Sequence, residues 1–309
     1  MKILKAAAPL GTLAPRGCVV ALGFFDGVHR AHAAVLAAAR EEALRSALPL
    51  LVFTFRAEDA PKVGTPHLSD DAQRAALFAA AGADMAVFSE FSALSHLTPE
   101  AFVDTVLVGA LGTRVAVTGD GFRFGHRAAG DAACLGRLLA KHGAAAVALP
   151  PVLHGGEPIS STRVRQALER GDCAEATALL GRPYDLTLPV VRGDGRGVGL
   201  GFPTANLCPP AGRALPRFGV YVTRVGLPDG KAAFGVTDVG TRPTVAGSEV
   251  RLETHILDHT GELYGEPLTL EFLTRLRGEV KFSSLSELSE RIRMDCEEVR
   301  IWLRQNGQS

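Results

Sequence analysis

Two histidines three residues apart are the first side chains in this sequence able to do chemistry. They sit in Gly23-Phe24-Phe25-Asp26-Gly27-Val28-His29-Arg30-Ala31-His32, between an apolar run at 18–22 and an Ala/Leu/Arg-rich helical stretch at 31–45. A glycine-bearing loop that enters a helix offers an anion free backbone N–H groups and the positive end of the helix dipole. His29 and His32, spaced i, i+3, share one face of the first turn and can donate hydrogen bonds to phosphate oxygens without a full charge. The plain alternative is a capping histidine and a surface one. A zinc pair lacks a nearby third ligand.

Further stretches carry comparable signals. Ile159-Ser160-Ser161-Thr162-Arg163-Val164-Arg165 opens a helix over 161–170, and hydroxyls, free N–H groups and arginine forks together suit a polyphosphate. Gly119-Asp120-Gly121-Phe122-Arg123-Phe124-Gly125 follows a strand at 115–118, and ligands of open α/β sheets bind at strand carboxyl ends. The densest glycine stretch spans 193–206 and ends in Gly201-Phe202-Pro203-Thr204-Ala205-Asn206. It lets backbone wrap phosphates but is not a P-loop, because no GKS or GKT follows. Thr204 and Asn206 supply hard oxygen ligands suited to Mg²⁺. In Leu252-Glu253-Thr254-His255-Ile256-Leu257-Asp258, alternation puts Glu253 and His255 on one strand face, where Glu253 can act as general base toward a hydroxyl. A solvated edge-strand carboxylate is the plain alternative for Glu253.

These residues need elements to position them. The first half alternates apolar runs (18–22, 50–55, 86–88, 115–118, 145–149) with helical segments (31–45, 70–81, 99–108, 131–142), which predicts a Rossmann-like parallel sheet covered by helices on both faces. From Tyr184 the segments are short, β-branched and punctuated by turns such as Pro228-Asp229-Gly230, which predicts an antiparallel sheet or barrel. A long helical pattern at 286–305 ends the chain. The domain boundary is expected at 183, in Gly181-Arg182-Pro183. The length, 309 residues, also favours two domains over one core.

Composition removes other classes. Lys+Arg and Asp+Glu are each 33, a net charge of zero, which argues against broad nucleic-acid binding. No apolar run approaches the ~20 residues that span a bilayer, and the N-terminal Met1-Lys2-Ile3-Leu4-Lys5 reads as a first strand. Five dispersed cysteines, Cys18, Cys134, Cys173, Cys208 and Cys296, form no CxxC pair and suggest a reducing, cytoplasmic location.

FDGVHxxH after a strand, GxxFRFG and ISSTRVR, in that order, resemble the adenylyltransferase domain of the bacterial bifunctional riboflavin kinase/FAD synthetase family. The resemblance implies a nucleotidyltransferase fold over 1–183 and transfer of AMP from ATP to FMN with release of pyrophosphate. It assigns ATP to Phe25, Asp26, Gly27, His29, His32, Ser161, Thr162 and Arg165, with the histidines catalytic, and assigns the flavin to Phe124 and Arg123. An ionised FMN phosphate needs no protein base, so catalysis is alignment and charge stabilisation.

The second half resembles the riboflavin kinase domain of the same family. The matching pieces are 197–206, Pro216-Arg217-Phe218-Gly219-Val220-Tyr221, Gly240-Thr241-Arg242-Pro243-Thr244, 253–258, Leu263-Tyr264-Gly265, and Arg275-Leu276-Arg277 with Lys281-Phe282. It implies a Greek-key β-barrel with a terminal helix over 184–309. The implied reaction is transfer of the ATP γ-phosphate to the riboflavin 5′-hydroxyl. Gly197, Gly199, Gly201, Pro203, Thr204 and Asn206 would bind ATP, with Thr204 and Asn206 at the metal. Glu253 would take the proton, and Arg275, Arg277 and Phe282 would face the flavin. Mg²⁺ and ATP are the implied cofactor and co-substrate, with no tightly bound prosthetic group; the implied partners are small molecules only, neither nucleic acid nor membrane.

The chain departs from the family pattern at five places. Ala31 replaces a glycine, Gly121 an Asn or Asp, Ala57-Glu58-Asp59 a Pro-His-Pro, Val198 an Arg and Asp238 an Asn. The alternative reading is therefore a riboflavin kinase with an impaired or retuned adenylyltransferase domain. A non-enzymatic flavin-binding module and a different nucleotidyltransferase are the remaining readings.

Overall fold

The computed structural model describes residues 1–6, 14, 16–59, 64–193, 201–244 and 247–308. They divide into two compact units, Met1–Ser161 and Thr162–Ser309.

The first unit contains strands β1 (Lys2–Ala6), β2 (Cys18–Leu22), β3 (Leu50–Phe55), β4 (Met85–Ser89) and β5 (Thr113–Gly119). A short hairpin, β6 (Arg123–Phe124) with β7 (Gly130–Asp131), precedes β8 (Ala145–Leu149), and β9 (Leu153–His154) pairs with β10 (Glu157–Pro158). The main sheet runs β1-β4-β3-β2-β5-β8, parallel throughout, as the apolar runs predict. Alternation in β2 sends Val20 and Leu22 to one core and Val19 and Ala21 to the other, so every residue of the strand is buried. Helices α1 (Arg30–Ser46) and α2 (Asp71–Ala80) cover one face through Leu36, Ala39 and Phe78. The other face is covered through Phe102, Leu107, Leu135 and Leu139. These come from a segment that begins after α3 (Phe91–Leu94) with α4 (Pro99–Ala101) and continues in wide π-type turns over Phe102–Ala110, and from α5 (Ala132–Ala140). Strand β8 departs from the buried pattern: it forms the sheet edge, and three of its five residues are exposed.

The chain leaves β2 toward β3 on one side of the sheet, while β5 lies on the other side and leads on to β8. The carboxyl ends of β2 and β5 thus form the topological switch point, where open α/β sheets bind ligands. Both expected loops, 23–32 and 119–125, begin there.

The second unit takes in α6 (Ser161–Arg170) from Thr162 onward, then α7 (Cys173–Leu180). Strands β11 (Tyr184–Val191), β12 (Ala205–Leu207), β13 (Gly219–Gly226), β14 (Ala232–Thr244), β15 (Gly247–Ile256) and β16 (Pro267–Arg277) follow, and α8 (Leu285–Gln305) ends it. The strands close into an antiparallel barrel in the order β11-β12-β15-β14-β13-β16. Leu252, Thr254, Leu268, Leu270 and Phe272 are buried. A ladder of buried hydroxyls, Thr223 to Thr237 (2.8 Å) and Thr237 to Thr254 (2.9 Å), satisfies its own polar atoms. On the outer face α8 packs Cys296 and Val299 against Val220, Val222, Val236 and Leu257. Its Asp295 is buried between two guanidinium groups, 2.5 Å from Arg277 and 2.7 Å from Arg291.

Breaking such a buried ion cluster leaves charges without partners. Asp295→Asn is expected to destabilise this unit by about 3 kcal/mol. The readout is the urea midpoint followed by fluorescence of Trp302, the single tryptophan; an unchanged midpoint rejects the role given to Asp295.

Candidate active sites

At the first unit's switch point the chain adopts backbone that side chains rarely take. Phe25, Gly27 and Val28 have φ of 53°, 76° and 41°. Such strain persists where the surroundings over-determine it, and it clusters at functional sites. Asp26 is buried and does positioning work: its Oδ1 accepts from the N–H groups of Leu68 (2.9 Å) and Ser69 (3.2 Å). Ser69 Oγ in turn accepts from the Gly27 N–H at 2.9 Å. Ser161, at the start of α6, donates its hydroxyl to the Asp26 carbonyl at 2.9 Å, which joins two motifs 135 residues apart.

The histidines meet as their spacing predicts. Their rings stack with centroids 3.6 Å apart and planes 13° from parallel. His29 caps α1, its Nδ1 accepting from the His32 N–H at 3.3 Å. Phe25 lies edge-on to His32 at 5.2 Å. The Nδ1 of His32 is buried without a hydrogen-bond partner, an orphan that a ligand oxygen can satisfy. Burial first, then the charge of His29 and then that of Arg74, hold the His32 pKa well below its ordinary 6.5. The ring is thus a neutral donor at physiological pH.

Arg74 was not evident from the sequence. It is fully buried, 0% exposed, and its fork donates to the carbonyls of Phe24 (2.7 Å) and Phe55 (2.8 Å) at the ends of β2 and β3. The signal that existed was an arginine on the apolar side of α2, which it shares with Ala75 and Phe78.

In the other loop, Phe124 is buried against Phe102 and Phe122, while Phe122 is half-buried and stacks on Phe124 with planes 12° apart. Arg123 is exposed, 4.0 Å from Asp131. Gly130 lies under the Phe124 ring, where a Cβ would come within 2.6 Å. Arg163 pairs with Glu175 of α7 at 2.8 Å, so its fork is engaged within the second unit. Thr162 and Arg165 lie in the opening turns of the same helix.

In the barrel the glycines Gly197 and Gly199 lie outside the described residues. The glycine-rich stretch that ends at Asn206 enters β12 at Ala205. Register makes Asn206 the cross-strand partner of Glu253, and Glu253 the partner of Asp238. Glu253 is exposed on the outer face. Asn206 is buried, donates to the Thr204 carbonyl at 3.3 Å, and lies so close to Gly193 that a Cβ there would fall 2.4 Å from its amide. That cradle, with the Thr204 hydroxyl and Asn206 carbonyl oxygen as hard donors, fits Mg²⁺. His255 fixes the segment from β15. Its Nδ1 is 2.9 Å from the Pro203 carbonyl, and since a carbonyl only accepts, the proton is on Nδ1. Desolvation, then repulsion from Glu279, outweighs Arg277 and, with smaller repulsion from Glu253 and Asp295, pushes the Asp238 pKa up to about 6.

The two expected flavin-side arginines are engaged internally. Arg275 donates to the Phe218 carbonyl at 2.7 Å, and Arg277 holds Asp295. Phe282 is half-buried beyond β16.

An FAD synthetase family model matches residues 12–163 and a riboflavin kinase model matches 180–303. The curated bifunctional riboflavin kinase/FMN adenylyltransferase of Escherichia coli (strain K12) is 36% identical over 96% of both chains. The chain belongs to the bifunctional riboflavin kinase/FMN adenylyltransferase family. A family member from Pseudomonas fluorescens is 38% identical over 92% of this chain and 93% of its own, and one from Bacillus subtilis (strain 168) 32% over 91% of each. A crystal structure of a macrolide-efflux protein from Streptococcus pneumoniae shares the fold with a TM-score of 0.87 and 30% identity, covering 97% of this chain and 99% of that one. The chain is thus an enzyme with both a riboflavin kinase and an FMN adenylyltransferase half. The relatives support this bifunctional reading and not the alternative of a kinase beside an impaired adenylyltransferase. No helix among the described residues is long and apolar enough to cross a membrane.

Because folding lowers the His32 pKa, the unfolded chain takes up a proton near 6.5 that the folded chain refuses. Stability from this group is complete above 6.5 and falls as the pH drops below it. Thermal unfolding between about pH 5 and 8 is expected to show that loss, and His32→Gln to flatten it; identical slopes reject the neutral histidine.

Proposed function

We propose that the switch-point loops of the first unit transfer AMP from ATP to FMN, and that the barrel transfers the γ-phosphate of ATP to the 5′-hydroxyl of riboflavin. The adenylyltransferase reaction is assigned to 1–183 and the kinase reaction to 184–309. Riboflavin, FMN and ATP are the substrates, and the five free cysteines favour the cytoplasm as the site of both reactions.

The observation that carries the kinase reading is the register pairing of Asn206 with Glu253. It sets the Asn206 amide beside the Glu253 carboxylate, a pair that suits a metal ligand and a base. Thr204 and Asn206 hold Mg²⁺, which when bound neutralises charge on the transferring phosphate. Glu253 accepts the hydroxyl proton as the oxygen attacks. Gly201 and Pro203 shape the nucleotide loop, with Gly197 and Gly199 ahead of them.

For adenylyl transfer the carrying observation is the His29–His32 stack with its orphaned nitrogen. The neutral His32 imidazole, His29, loop N–H groups and the hydroxyls of Ser161 and Thr162, with Arg165, stabilise charge on the α-phosphate and on the departing pyrophosphate. Phe124 and Arg123 lie on the flavin side, and Arg275, Arg277 and Phe282 serve the kinase flavin.

Incubation with riboflavin, ATP and Mg²⁺ is expected to yield FMN and then FAD. Glu253→Gln should lower FMN formation by about a hundredfold or more, and His32→Ala should lower FAD formation by about a hundredfold while FMN formation persists. Full FMN production by the Glu253 variant removes that residue from the mechanism.

A further inference from the structure

The guanidinium of Arg74 lies where no side chain of the reaction itself is expected. Its fork reaches the Phe24 and Phe55 carbonyls, the Thr54 hydroxyl (3.1 Å) and the Asp71 carboxylate (2.5 Å). The cation sits between the rings of Phe24 (5.1 Å) and Phe88 (5.2 Å). A buried ion pair is poor value for stability alone, since a well-packed apolar side chain serves as well. What an apolar side chain does not do is fix two carbonyls at a set spacing.

One of those carbonyls matters for the site. The Phe24 carbonyl belongs to the peptide whose rotation sets φ of Phe25, and Phe25 is held at 53°. Thr54 Oγ1 donates to the same oxygen at 2.8 Å, so the peptide is clamped from two sides. The ring that this φ places, Phe25, packs edge-on to His32, which stacks on His29. We propose that Arg74 is a positioning residue for adenylyl transfer, clamping the peptide before Phe25 so that the left-handed turn presents the two histidines in register. The proposal rests on the assignment of His29 and His32 to adenylyl transfer.

The same polypeptide supplies an internal control, because Arg74 belongs to the first unit and FMN formation is assigned to the barrel. FAD formation from FMN and ATP, and FMN formation from riboflavin and ATP, are measured on the full chain for Arg74→Met, Arg74→Lys and Thr54→Val. The folded fraction is followed by circular dichroism at the assay temperature. Misplacement of a reacting group by about 1 Å costs about a hundredfold. Arg74→Met is therefore expected to lower kcat/KM for FAD formation by about tenfold to a hundredfold, beyond any loss of folded protein, with FMN formation unchanged. Arg74→Lys, which keeps the charge and part of the donor set, should recover much of the loss, and Thr54→Val should lose about threefold.

The proposal is overturned if folded Arg74→Met makes FAD as the parent does, or if the lysine variant is no better than the methionine one. A fall in kcat that only tracks the folded fraction, at unchanged KM for ATP, also overturns it. Should the methionine variant not fold, parental FAD formation by Thr54→Val overturns it. His32→Ala separates the premise: parental FAD formation by that variant removes the histidine assignment and the proposal with it. Its loss beside a fully active Arg74→Met removes the proposal alone.

Discussion

Peptide groups at the ends of strands must find partners that the sheet no longer provides, and this constraint organises both units. At the first unit's switch point, β2 and β3 release carbonyls into the interior rather than into solvent. The chain answers with Arg74 and Thr54 at the Phe24 carbonyl, with Ser69 Oγ at the Gly27 N–H, and with Asp26 at the N–H groups of Leu68 and Ser69. Once those groups are satisfied, the backbone of the turn is free to adopt positive φ and aim its remaining donors at a ligand. In the barrel the equivalent problem falls on the short strand β12. Asn206 gains neighbours on both sides, Val191 and Glu253, and its amide returns to the Thr204 carbonyl.

The two sites handle phosphate with little net charge. The stacked histidines cannot both be protonated at 3.6 Å without strong repulsion, and His32 is also desolvated. On the proposed assignment, a neutral imidazole and oriented N–H groups do in the first unit what a basic patch does elsewhere. The barrel goes the other way, with the carboxylates of Glu253 and Asp238 in register beside the Asn206 amide. Burial and the charges of Glu279, Glu253 and Asp295 disfavour the Asp238 carboxylate, and Arg277 offsets them only in part. A chain with equal numbers of acids and bases can hold both arrangements because each is local.

Continuous apolar runs made the central strands legible, since a strand buried on both faces needs no polar residue. The histidine pair was legible because i, i+3 spacing leaves no choice of face once a helix forms. Three features were not. Strand β12 begins inside Pro203-Thr204-Ala205-Asn206, where a proline and two strand residues look like loop, and only pairing with β11 and β15 makes it a strand. Arg74 looked like an ordinary helix residue, because a charge inside a core is visible only when its carbonyl partners, 50 and 19 residues away, are in place. Arg275 and Arg277 carried a family pattern for flavin binding, but their side chains also brace Phe218 and Asp295. A motif shows residue types and cannot show which guanidinium groups are engaged within the protein.

The division of labour along the chain shows the same difference between motif and packing. The FAD synthetase model ends at 163 and the riboflavin kinase model begins at 180, so α6 and α7 fall largely between them. Packing assigns them otherwise. The Arg217 N–H donates to the Leu168 carbonyl at 2.8 Å, and Gly171 lies against Arg275 so closely that a Cβ would fall 2.5 Å from its side chain. Val164, Leu168, Ala176 and Leu179 are buried. A fragment that began at Tyr184 would lose α7, which lies against β11 and β16, and Gly171 beside Arg275. The boundary set by chemistry and the boundary set by packing thus differ by most of two helices, because chemistry is assigned by residues that meet a ligand and stability by residues that meet each other.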